Sequence, residues 1–272
     1  MSNDRGLSNL GVYVYGLGSL AAGVFDLIWR DFDASHQPIQ AWGDNIPGVT
    51  ILACIAGVWM VAGALALLWR RSERAGGAAL AGIYFVFAMF WLPRFYTAPH
   101  YLGVHVRVYI GVFGGMGSQL IAFAAGVLLW ASAAGAPRPR ALLFARWVFG
   151  LSTIAFGIVH LTYIQMNLEY VPNWMPMGKE FWVIVTGICF MLAGLAILTG
   201  IVDVLAAWLL GLMFLVFNLT ILPTYIFAHP KGHGAWGGNA YNLAAVGASW
   251  ILADALSATR PPKTATDRAT SS

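Results

Sequence analysis

What most limits the fold of this chain is the recurrence of apolar runs of about 20 residues, the length at which one helix crosses the hydrocarbon core of a bilayer. The runs are continuous rather than alternating, which selects helices over a closed barrel. Charged residues make up 10% of the chain and mean hydropathy is +0.72, whereas soluble domains carry about 25% charged residues. The expectation is an all-α membrane protein in contact with the lipid bilayer. The pI near 9.2 is assigned to loop arginines that report orientation, not to nucleic-acid binding.

Eight transmembrane helices are predicted: Leu10 to Trp29, Val49 to Trp69, Ala75 to Leu92, Val108 to Ala131, Arg146 to Gln165, Glu180 to Gly200, Asp203 to Leu222 and Gly238 to Leu256. No basic segment precedes the first run, which is expected to be retained as a helix. The units are 1–133, a first four-helix repeat; 134–145, a cytoplasmic linker containing AGAPRPR; 146–258, a second four-helix repeat; and 259–272, a polar, disordered cytoplasmic tail.

The two halves resemble each other. Val14 to Trp29 (VYGLGSLAAGVFDLIW) aligns without a gap on Val148 to Tyr163, pairing Gly16 with Gly150, Gly23 with Gly157 and Asp26 with His160. Ala62 to Leu68 matches Ala193 to Thr199, Val86 to Pro93 matches Val216 to Pro223, and Gly114 to Leu120 matches Gly237 to Leu243. Four spans per unit is even, so both copies insert the same way round, as two four-helix bundles related by a parallel internal repeat. Ten of the fifteen Lys and Arg fall on one side, among them Arg70, Arg71, Arg74, Arg138, Arg140 and Arg146. That asymmetry predicts cytoplasmic termini.

All six histidines then lie on the outer side. Asp26 and His160 each close a face of small or polar residues: Gly16, Ser19, Gly23, Asp26 and Gly150, Thr153, Gly157, His160. Small residues admit close helix approach, so these faces are expected to point inward. An ionisable group there is a candidate for chemistry, and both are candidate catalytic residues. The structural alternative for Asp26 is an ion pair with Arg30 or Arg94. For His160 it is a hydrogen bond to a neighbouring helix. The second half is the more polar at depth. His160, Asn218, Asn242 and Thr186 are predicted to line a pocket for a ligand with carbonyl oxygens, such as a quinone, with Trp174 as a rigid lid between Pro172 and Pro176. The competing account of the asparagines is interhelical packing. His100, His105, His229 and His233 are weak metal candidates, because their spacing is not that of a helical pair. Cys54 and Cys189 form no paired motif and are expected to be packing residues.

Gly157, His160, the loop residues Val171, Pro172, Trp174 and Pro176, then Phe181, Trp182, Thr186, Gly187 and Ala193 to Leu198 resemble the DoxX-like family of bacterial integral membrane proteins. The likeness is good over the fifth and sixth spans, fair over the last two and faint in the first half, where Asp26 stands in place of the histidine. It implies a tandem duplication of a four-helix unit in a bacterial cytoplasmic membrane. Some relatives are linked to quinone-coupled oxidation. The expected role is a quinone-interacting subunit of a membrane oxidoreductase, with a redox partner subunit and an outward-opening pocket in the second half. The alternatives are a carrier or channel for a small solute, or a non-catalytic assembly subunit.

Overall fold

The computed structural model describes residues 9–33, 36, 47–132, 138–227 and 229–260. Among them the chain is helical, without strands. The helices are α1 (Asn9–Trp29), α2 (Val49–Leu68), α3 (Glu73–Phe90), α4 (Arg94–Leu102), α5 (Val106–Ala131), α6 (Pro139–Thr162), α7 (Ile164–Asn167), α8 (Lys179–Thr199), α9 (Asp203–Ile221) and α10 (His233–Ala258). Seven of the helical stretches are long and apolar enough to cross a membrane, α3 and α4 counting as one. The chain is thus a multi-pass membrane protein by length and composition.

Local chemistry explains several of the ends. Gly48 and Gly200 take the left-handed conformation that starts α2 and stops α8, with φ of 80° and 76°. Pro139 opens α6, where its missing N–H costs nothing. Part of the expected linker is therefore helix, while 133–137 lies outside the described residues. Beyond α9 the backbone widens into a π-turn over Leu222–Ile226, where Pro223 supplies no amide hydrogen. Two expected loops also shorten. Arg94–Leu102 is helical despite Pro99, and α10 begins at His233 rather than Gly238.

The helices pack as a ring in the order α1, α2, α3, α5, α6, α8, α9, α10, closed by α10 against α1 and crossed by contact between α5 and α10. The two halves of the chain pack against each other along this ring. The first span of each half packs against the last span of the other: α1 on α10, and α6 on α5. Small residues decide this. A Cβ on Gly18 would come within 2.7 Å of Ala244 Cα, and one on Gly247 within 2.6 Å of the Gly11 carbonyl. Without those glycines α1 and α10 could not approach so closely. In lipid, such close backbone packing supplies the dispersion contacts that hold helices together.

α10 is the most enclosed helix, buried almost continuously from Ala244 to Ala253. It is not among the seven apolar stretches although it is 26 residues long. Protein surrounds it, so its sides need not be lipid-soluble, and Gly, Ala, Asn and Ser are tolerated.

Candidate functional site

The small-residue faces point inward, as their spacing predicts. A Cβ on Gly23 would lie 2.7 Å from Met60 Cβ and 2.9 Å from the Gly57 carbonyl, so α1 and α2 touch nearly backbone to backbone. One turn later the same face carries Asp26, whose side chain is 1% exposed.

Asp26 is met from two sides by imidazoles. His36 Nδ1, from the segment after α1, lies 3.6 Å from Asp26 Oδ2. His233 Nε2, from the first turn of α10, lies 3.3 Å from Asp26 Oδ1. The Asp33 backbone N–H donates to Oδ1 at 3.3 Å. Both imidazoles are at ion-pairing range, and neither is aligned as a hydrogen bond. Asp26 Oδ2, both ring nitrogens of His36 and Nε2 of His233 are sealed from solvent, with no hydrogen-bond partner among the described residues.

Aromatic rings fix the imidazoles in place. His36 stacks on Phe87 of α3 at 4.2 Å, and His233 stacks on Trp29 at 4.9 Å and 3°. Stacking sets the ring planes, leaving the nitrogens to face the carboxylate. The Asp33 carboxylate sits against α10, where a Cβ on Gly237 would strike its Oδ2 at 2.5 Å. Gly237 is thus what lets the two halves close around the cluster. Burial pushes the His36 imidazole down, but the carboxylates of Asp26 and Asp33 outweigh it and hold its pKa above the ordinary value. A buried carboxylate bracketed by titratable rings can hold and release protons near neutral pH.

In the second half, the hydrogen bonds of His160, Asn218 and Thr186 go to backbone carbonyls. The His160 ring lies among Phe190 and Phe217, at 5.0 and 6.2 Å. Its Nδ1 is 2.9 Å from the Phe156 carbonyl one turn back. A carbonyl only accepts, so Nδ1 carries the hydrogen and a neutral ring presents Nε2 as an acceptor. Asn218 donates to the Asn239 carbonyl at 2.7 Å, linking α9 to α10. Thr186 donates to Trp182 O at 2.7 Å within its own helix. Asn242 is half-buried and Trp174 is exposed.

Among the loop histidines, His100, His105 and His229 are exposed while His233 joins Asp26. No group of three or more His, Cys, Asp or Glu among the described residues is arranged to hold a metal ion. Cys54 and Cys189 are free thiols.

Sequence reasoning found Asp26 but missed His36. Nothing in its local spacing marks it, because it reaches the site only when the chain folds back after α1. His233 was legible as a histidine but not as a helix-start residue facing Asp26. No protein-family model, curated protein or solved structure matches the chain. The fold and this cluster define a multi-pass helical membrane protein with a carboxylate–imidazole centre at one end of its helices.

Proposed function

We propose that the protein is a DoxX-like, eight-span protein of a bacterial cytoplasmic membrane with both termini cytoplasmic, built from two four-helix units in parallel repeat. In this reading α10 is the eighth span. Corresponding pairings in the two halves support the repeat. α1 meets α2 at Gly23 and Gly57, and α6 meets α8 at Gly157 and Gly187.

Its role, we infer, is that of a quinone-interacting subunit of a membrane oxidoreductase, working at the outer end of the bundle. The observation that carries this is the 1%-exposed Asp26 carboxylate between His36 and His233. A quinol that passes two electrons to a redox partner subunit must release two protons. A carboxylate and two imidazoles are suitable acceptors at neutral pH. His160, Asn218, Asn242, Thr186 and Trp174 then serve the packing and the loop of the second half.

A carrier role is the second reading. It is favoured by the position of the cluster between α1 of one half and α10 of the other, since repeat interfaces are where carriers hold their solutes.

Organic extraction of the detergent-purified protein, followed by mass spectrometry, separates the two. A quinone near stoichiometric amount in wild type, lost in Asp26→Asn and kept in His160→Leu, is the expected result. Absence of quinone together with solute uptake into proteoliposomes would replace the redox reading by the carrier reading.

A further inference from the structure

With Asp26 only 1% exposed, nothing from outside reaches its carboxylate unless one of the surrounding walls moves. The walls differ in what holds them. Towards α2, α1 is packed backbone to backbone at Gly23 and Gly57. Towards α10 it is packed as closely at Gly18 against Ala244 and at Gly11 against Gly247. Helices that near to each other part only by giving up their dispersion contacts. The remaining wall is the chain just after α1. Among the described residues it is the wall of the site that is not helix.

That chain is held to the helices through side chains. Phe32, 3% exposed, lies edge-on to Phe87 and Phe90 of α3 at 6.3 and 6.4 Å. His36 stacks on Phe87 at 4.2 Å and stands edge-on to Tyr84 at 6.5 Å. Asp33 sits against Gly237 of α10, and its N–H donates to Asp26. The His36 N–H donates to the Asp33 carbonyl at 2.9 Å, which joins the two into one turn. Phe32, Asp33 and His36 thus form a wedge between α1, α3 and α10.

The wedge hangs from α1 by Arg30, whose φ is 53°. A residue with a side chain rarely takes this left-handed conformation. Strain of that kind persists where surrounding contacts enforce it, so losing the contacts also frees the turn. The chief contact is the pair of His36 and Asp26 at 3.6 Å. Neither His36 ring nitrogen, nor Asp26 Oδ2, has an aligned hydrogen bond among the described residues, so charge holds the pair together. The titratable groups around the His36 ring are Asp26 from α1, Asp33 in its own turn, Tyr84 from α3 and, across Asp26, His233 from α10.

We propose that the chain just after α1 is a lid on the outer mouth of the bundle, hinged at Arg30, wedged by Phe32 and Asp33, and latched by His36 on Asp26, and that it opens as His36 gives its proton to the outer water. Once the imidazole is neutral, the attraction is gone and a sealed carboxylate is left short of positive charge, which favours the entry of water. The carboxylates hold the His36 pKa above its ordinary value. The latch is therefore complete below the unfolded value of about 6.5 and fails as pH rises through the folded one. Open, the lid yields the space beside Asp26, Tyr84, Phe87 and Gly237 to an incoming ligand. The lid rests on the reading of Asp26 as the working group and names what controls access to it.

The test is hydrogen–deuterium exchange of the full chain in lipid nanodiscs, resolved at the Asp33 and His36 amides and expressed as protection relative to each amide's intrinsic rate. The expected result is a several-fold loss of protection at these two amides from pH 5.5 to pH 8.5, with α1 and α10 unchanged. In His36→Phe, which keeps a ring on Phe87 but cannot take a charge, protection should be the same at both pH values. The wild-type comparison stands by itself should that variant not fold. Equal wild-type protection at both pH values overturns the lid. So does a matching loss throughout α1 and α10, or a loss that persists in His36→Phe. The quinone assay is independent of these results: quinone retained in wild type and lost in Asp26→Asn leaves the Asp26 reading standing when the lid fails.

Discussion

The two ends of the molecule each bury one carboxylate between two basic side chains, and they do so with different chemistry. At the end opposite Asp26, Asp203 starts α9 and is held by Arg146 of α6 at 2.7 Å and by Arg260 just past α10. Arg146 also donates to the Ile197 carbonyl near the end of α8 at 3.0 Å. That arrangement ties the ends of four helices of one half together. Its cations are guanidiniums, which stay charged at any pH a cell meets. At the Asp26 end the basic partners are imidazoles, and they come from the post-α1 segment and from α10, bridging the halves. One end is a fixed clamp. The other can change charge, in a place where that change is felt by both halves.

The largest expected effect that would sharpen this contrast is on stability at the clamp. Asp203→Ala leaves two arginines facing each other and should cost about 2–3 kcal/mol. That is less than the full cost of orphaning a buried charge, because Arg146 and Arg260 reach water. Denaturation in detergent should show the same loss at pH 5.5 and pH 8.5. A loss that disappears at either pH would break the contrast.

At the other end the effect should be smaller and pH-dependent. Because the His36 pKa is raised on folding, the stability it contributes is fully present below its unfolded value of about 6.5 and is lost as pH rises through the folded value. Asp26→Asn should therefore cost about 1–2 kcal/mol at pH 5.5 and much less at pH 8.5. The wild-type decline of stability over that interval should flatten in the variant. A pH-independent cost would make Asp26 a second clamp.

Smaller still is Arg260→Ala. Half of that side chain is exposed, and Arg146 remains on Asp203, so under about 1 kcal/mol is expected in the same denaturation assay. The smallest effect on the outer site should come from His160→Leu, whose ring touches none of Asp26, His36 or His233 in the contacts described. Its pH profile should superimpose on that of wild type, and a flattened profile would bring His160 into the cluster after all.

Much of the fold was legible. Of the eight spans predicted from apolar length, seven coincide with stretches long and apolar enough to cross a membrane, and the Gly16–Ser19–Gly23–Asp26 spacing correctly turned that face of α1 inward. The site was legible only at Asp26, because an ionisable residue on a small-residue face carries its own warning. His36 gave none. His160 and Asn218 carried the same kind of warning as Asp26. Even so, the Asn218 amide and the His160 Nδ1 are both satisfied by nearby backbone carbonyls.

What the sequence determined by itself is the class: a helical chain that lives in lipid, with small-residue faces that must pack. Those follow from local rules, the transfer of about 20 apolar residues into hydrocarbon and the period of one helix. Tertiary structure decided which span meets which. A small-residue face is complementary to any other such face. Only the full set of contacts, Gly18 against Ala244 and Gly247 against Gly11 among them, chose α10 as the partner of α1. That choice brought His233 to Asp26 and placed the cluster between the two halves.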